Sequence, residues 1–222
     1  MKRHIVLLTL FITVSNLFLS KGNTIRFKQN ADGLSNSSVT YIFQDSKERM
    51  WFGTYDGLNM YNGQNFTIWR PIFNDSTSIS HHIIRNIAED RSGQIWISTD
   101  QGVNRLDVDK NEYKRFFQDS HKQTQYPFIA IDKDGRIFFS FFEGGLFYYD
   151  IQTKEFKPLI IPDVNTSYIH NLFADVYGNL WIHTSEGCLY RLKFSAEEET
   201  RYVPAEVVQV FNGIQPSTLF NQ

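Results

Sequence analysis

Asp45-Ser46-Lys47-Glu48-Arg49-Met50-Trp51-Phe52-Gly53-Thr54-Tyr55-Asp56-Gly57-Leu58-Asn59 decides the fold, because the chain repeats its skeleton. The same order returns as Asp90, Trp96, Ser98, Thr99, Gly102, Val103 and Asn104. A more worn copy holds Asp132, Phe138, Ser140, Gly145 and Leu146. The fourth holds Asp175, Trp181, Thr184, Gly187 and Cys188. Successive aspartates (45, 90, 132, 175) lie 45, 42 and 43 residues apart. A period of ~40–45 residues marks the blades of a propeller.

Around each skeleton the sequence splits into four short apolar segments parted by Gly, Asn and Asp turns. In the first copy these are 39–44, 50–54, 58–61 and 66–69. Short strands so spaced suit antiparallel meanders. The inner segments are near-continuous apolar runs, which fits sheets covered on both faces. The expected fold is therefore all-β: a β-propeller of four-stranded antiparallel blades, about four blades plus a stub. Repeats fall near 34–78, 79–122, 123–163 and 164–212, with a fifth beginning at 213–222. Trp51, Trp96, Phe138 and Trp181 are expected to pack between blades. Gly53, Ser98 and Ser140 would leave room there for a neighbour's aromatic ring. Gly57, Gly102, Gly145 and Gly187 punctuate the turn after each second strand. Asp-x-x-Gly at Asp90, Asp132 and Asp175 calls for a side-chain acceptor and then a positive φ. The strand pattern at 24–29 precedes the first repeat and would latch a closed ring.

The 222 residues carry a net charge of −2, which disfavours broad nucleic-acid affinity. Cys188 is the single cysteine, so no intrachain disulfide forms, and its apolar setting reads as core. Lys2 and Arg3 followed by the apolar stretch 5–19, with Ser20 and Gly22 at −3 and −1, lay out a secretory signal over 1–22. An uncleaved anchor is the other reading, although the stretch is short of the ~20 apolar residues of a spanning helix. Residues 23–222 are then the propeller portion, expected outside the cytoplasm.

The repeat resembles the two-component regulator propeller repeat. Gly33-Leu34-Ser35-Asn36-Ser37-Ser38-Val39 matches its opening, Met50-Trp51-Phe52-Gly53-Thr54 its centre and Gly57-Leu58-Asn59-Met60-Tyr61-Asn62 its close. The third copy departs, with Phe138 for Trp. The resemblance implies a ring of about seven blades and a periplasmic sensor in a hybrid two-component system that ends in a histidine kinase. It implies an oligosaccharide ligand, the remainder of the propeller and sensor as partners, and a homodimer in the full-length protein. No phosphoacceptor region or nucleotide-binding box is present in this sequence, so the segment itself is read as non-enzymatic. Alternatives are a secreted propeller enzyme, a lyase or glycosidase, or a ligand-free interaction scaffold.

In an antiparallel blade the segment leading into the first strand and the turn between second and third strands share one face. That face gathers Asn36, Tyr55 and Asp56, then His82, Asp100 and Gln101, then Tyr126, Phe142 and Glu143, then Tyr168 and Glu186. Aromatic faces beside carboxylates and amides suit a sugar's C–H surfaces and hydroxyls; solvated loop residues are the plainer reading. Catalytic and metal readings find less. His81 and His82, placed in a strand, would point to opposite faces. His170 and His183 lie on different strands without a recognisable ligand spacing. The sialidase turn Ser-x-Asp-x-Gly-x-x-Trp is not matched, since Asp90 lies three residues before Gly93, and no acid–nucleophile pair can be nominated. No cofactor and no metal are expected.

Overall fold

The computed structural model describes residues 33–117, 127–141, 144–195 and 202–212. The signal segment, the strand pattern at 24–29, the fifth repeat and the site residues Tyr126, Phe142 and Glu143 lie outside the described residues. The described residues form sixteen strands in four antiparallel sheets, each a meander in chain order. Blade 1 is β1(Val39–Gln44), β2(Met50–Thr54), β3(Gly57–Tyr61) and β4(Phe66–Trp69). Blade 2 is β5(Ile84–Glu89), β6(Ile95–Thr99), β7(Gly102–Asp107) and β8(Glu112–Phe116). Blade 3 is β9(Phe128–Ile131), β10(Ile137–Phe141), β11(Gly145–Asp150) and β12(Glu155–Pro158). Blade 4 is β13(Ile169–Ala174), β14(Asn179–Thr184), β15(Cys188–Phe194) and β16(Pro204–Asn212). First strands neighbour one another, β1 against β5, β5 against β9 and β9 against β13, so the sheets radiate as the blades of an open propeller arc.

The spacing from Asp to Trp follows from one carboxylate doing two tasks. In copy 4, Asp175 Oδ1 accepts the N–H groups of Tyr177 and Asn179, at 2.9 Å each, which closes the first hairpin. Its Oδ2 accepts the Trp181 indole N–H at 2.9 Å. Asp45 with Trp51 and Asp90 with Trp96 repeat the indole bond at 2.8 Å. The turn needs a left-handed residue, supplied by Gly93, Gly135 and Gly178 (φ 77°, 74° and 88°) and in the first copy by Glu48 (φ 62°).

Each internal interface buries the ring of one blade against the next, on aliphatic side chains at Trp51 and on mixed aliphatic and aromatic ones at Trp96 and Phe138. Trp51 packs with Ile84, Ile95 and Ile97. Trp96 packs with Ile137 and Phe139, and Phe138 with Ile169, Leu180 and Ile182. All three rings are wholly buried, as expected. Trp181 differs: it is only half-buried and stacks on Phe173 of its own blade, the planes 2° apart. A second correction concerns Gly53. What fills the space beside it is aliphatic, not aromatic: a Cβ there would lie 2.8 Å from Ile84 Cγ2. Thr40 Oγ1 also donates to the Ile84 carbonyl at 2.6 Å, so the first strand of blade 2 rides directly on blade 1.

Candidate functional site

Two structural devices place the loops of one face. The first is a buried polar knot. Ser35 donates its N–H to Asn59 Oδ1 at 2.7 Å, and Asn59 Nδ2 donates to Ser35 Oγ at 2.8 Å. Ser35 Oγ lies 2.9 Å from Thr54 Oγ1, which donates onward to the Gly57 carbonyl at 3.0 Å. Thr54 thus spends its proton on Gly57, which makes the serine hydroxyl the donor between them. Ser80, Thr99 and Asn104 build the same knot in blade 2, at 2.9 Å from Ser80 N–H to Asn104 and 2.9 Å between hydroxyls. The lead-in segment and the turn between second and third strands are thereby tied together, as the shared-face expectation requires. The second device is a β-bulge in the first strand, with Thr40, Arg85 and His170 as the extra residues of β1, β5 and β13.

The bulge of blade 2 turns Arg85 toward the face. Its Nε and Nη2 donate to the two Asp100 oxygens at 2.6 and 3.1 Å. Its guanidinium carbon sits 5.9 Å from the Tyr55 ring centroid, a cation–π approach. Beside them, Gly57 N–H donates to the His82 carbonyl at 2.7 Å, so the blade 1 turn is pinned to the blade 2 lead-in. Tyr55, His82 and Asp100 therefore form one cluster across two blades, with Arg85 and His81 added to it. Gln101 follows on the same turn, its N–H donating to Thr99 Oγ1 at 3.1 Å.

His81 and His82 do not belong to a strand; β5 starts at Ile84. Their rings pack 4.1 Å apart instead of pointing to opposite faces. Burial, with the neighbouring His82 charge, pulls His81 below the ordinary imidazole range. Arg85 carried a signal that sequence reading missed: a charged residue inside the apolar run Ile83-Ile84-Arg85-Asn86-Ile87.

The remaining residues fare unevenly. Asp56 pairs with Arg70 at 3.0 Å, with both side chains well exposed. Asn36 spends its Oδ1 on the Ser38 N–H at 2.7 Å, an Asx turn. Tyr168 and Glu186 sit on blade 4, two blades from the Tyr55 cluster; the Tyr168 carbonyl accepts Ser185 N–H at 2.9 Å. His170 and His183, separate in sequence, are brought to 5.9 Å between ring centroids. Among the described residues no three His, Cys, Asp or Glu side chains gather as a metal site.

A groove unforeseen from the sequence lies in the β4–β5 connection. It measures about 530 Å³ and is lined by Pro71 to Ser76, Ser80 and Arg115. Arg115 shapes it by donating to the carbonyls of Asp75, Ser78 and Ile79 at 2.6, 2.7 and 3.1 Å. Phe73 stands 91% exposed at its rim. Chemically this face offers aromatic platforms, a bidentate ion pair and fixed backbone groups. These are elements of binding.

The model of the two component regulator propeller family matches at 33–56 and 78–101, the first two copies of the repeat. A curated relative, histidine kinase P4 of Formosa agariphila, is 33% identical over 80% of this chain; the chain spans 14% of that protein's length. Among solved structures, the extracellular domain of a Bacteroides thetaiotaomicron protein assigned as a hybrid two component system superposes with TM-score 0.56 at 24% identity, over 82% of this chain and 26% of that one. Virginiamycin B lyase of Staphylococcus aureus superposes with TM-score 0.58 at 15% identity, over 80% of this chain and 56% of that one. At such identities the two structural likenesses speak to the propeller fold alone.

Proposed function

The chain carries the two-component regulator propeller repeat, and from that premise we propose that it is a ligand-sensing segment of a hybrid two-component regulator. The carrying observation is the repeat itself, shared with a histidine kinase of which this chain matches 14%. Phosphotransfer would then belong to other modules of a longer protein, and this segment would bind without catalysing. The signal layout of residues 1–22 supports a periplasmic position. The ligand we propose is an oligosaccharide, held on the face that carries Tyr55, His82, Arg85 and Asp100. Tyr55 is 47% exposed and ready to stack on a sugar ring, while the Arg85–Asp100 pair offers donors and acceptors beside it. Signalling would work by population shift: a ligand that contacts two blades favours one arrangement of a homodimeric full-length sensor over another.

The test is titration calorimetry of the chain against a panel of neutral and acidic oligosaccharides, with chromatography of each mixture afterwards. We expect saturable binding of at least one glycan with no new product, and a loss of about tenfold in affinity for Tyr55→Ala. Appearance of cleaved sugar would replace the sensor reading with an enzyme. Absence of binding across the panel would remove the oligosaccharide.

A further inference from the structure

Two ion pairs flank Tyr55, and they differ in kind. Arg70 directs Nε and Nη2 at a single oxygen of Asp56, at 3.1 and 3.0 Å, with side chains 48% and 44% exposed, so water screens the pair. Arg85 instead gives each Asp100 oxygen its own N–H, at 2.6 and 3.1 Å, the fork in which a guanidinium holds one carboxylate. Its side chains are 28% and 22% exposed, which leaves the pair less screened. Arg85 also lies against the Tyr55 ring, so a sugar stacked on Tyr55 comes within reach of this pair. The fold requires neither side chain. Asp100 stands at the turn position that holds Tyr55 in blade 1 and Ser185 in blade 4. Arg85 stands at the bulge position that holds Thr40 and His170.

On the reading that this face holds an oligosaccharide, we propose that Asp100 fixes the charge class of the ligand: the site takes a neutral sugar chain and rejects one that carries carboxylates. A neutral hydroxyl can donate to the spare lone pairs of Asp100 without opening the pair. An anionic sugar meets two obstacles. With the pair closed, it is repelled by Asp100 at short range. If it takes the fork, Asp100 loses its partner and stands beside a second negative group. The fork accommodates one carboxylate at a time, so Asp100 and a uronate exclude one another. Selectivity then comes from a repulsive group set next to the attractive ring. His81 adds no cation at neutral pH, because burial and the neighbouring His82 charge hold it below the ordinary imidazole range.

Titration calorimetry of the full chain against paired glycans tests this. Each pair is a neutral oligosaccharide and the same chain with its C6 hydroxymethyl groups oxidised to carboxylates. We expect the wild-type chain to bind the neutral member at least about tenfold more tightly. Asp100→Asn keeps a side chain suited to the turn and releases the fork. The oxidised member should then gain about tenfold in affinity, and the gain should shrink as salt is raised. Adding Arg85→Gln to Asp100→Asn should abolish the gain, which a mere loosening of the loop would not do. Circular dichroism checks the fold of both variants, and the wild-type comparison does not depend on them. Equal binding of the two members by the wild-type chain, tighter binding of the oxidised one, or no gain in Asp100→Asn overturns the charge selection and leaves the oligosaccharide reading standing. Binding of no member by any of the three proteins overturns both.

Discussion

The turn aspartate shows how much one side chain settles. Desolvation pushes the Asp175 carboxyl up, but the Asn179 side chain, the Trp181 indole and the backbone N–H groups of Asn179 and Tyr177 outweigh it, holding the group at about 2. A depressed folded value means that the ionised form stabilises the fold at pH above the unfolded value of 3.8, and that this support is lost as pH falls toward 2. Asp175→Asn should therefore flatten the acid limb of a urea-denaturation series between about pH 4 and pH 2. At neutral pH it should cost about 1–3 kcal/mol, because whichever way the amide is turned it cannot accept all four donors. A series that keeps its acid limb would assign the limb to other carboxylates. Copy 3 shows the same logic by substitution. Phe138 cannot donate to Asp132, and Arg136 holds the carboxylate without an indole, with Nε on Asp132, Nη2 on Asp134 at 2.9 Å and Nη1 on the Ser195 carbonyl at 2.9 Å. Arg136 is 2% exposed, and its guanidinium carbon lies 4.9 Å from the Phe194 ring centroid. Copy 1 makes the same bond from Arg49 Nε to Asp45 beside the Trp51 indole, so the worn copy keeps the arginine donor and loses only the indole, a loss legible in the sequence.

Within a single blade, the polar knot separates copies 1 and 2 from copy 4. Thr184 keeps the threonine, yet Leu189 replaces the asparagine, and the Thr184 Oγ1 has no partner among the described residues. Asn59→Leu should cost about 1–3 kcal/mol by leaving Ser35 N–H without its acceptor and Ser35 Oγ without its amide donor. Thr184→Val, which removes an orphan hydroxyl, should be neutral or slightly stabilising. Chemical denaturation of both variants checks the contrast, and equal losses at both positions would disprove the account. The Asn of Gly-x-Asn was visible in the first two copies. Its role was not, because Ser35 and Asn59 are 24 residues apart and the β1–β2 and β2–β3 pairings must both form to bring them together.

For the whole arc, the decisive quantity is what covers each ring. Trp96 is fully buried between blades 2 and 3 and touches Phe116, Phe139 and Tyr149 at centroid distances of 5.1–5.5 Å. Trp96→Ala should cost about 3–5 kcal/mol, with Trp181→Ala costing distinctly less, since a half-exposed ring leaves a smaller cavity. Thermal melts of the two variants decide this, and equal shifts would mean that blade 4 is covered in solution. The sequence by itself determined the repeat, the four-stranded blades, and the burial of Trp51, Trp96 and Phe138, because short apolar runs and Asp-x-x-Gly turns are local signals. Only the tertiary structure decided which neighbour meets each ring, that Ile84 rather than an aromatic side chain fills the space at Gly53, and that Tyr55, His82, Arg85 and Asp100 converge. Those contacts cross from one blade to the next over some 30 to 45 residues, and their geometry is set by bulges and by packing volume, which no local pattern encodes.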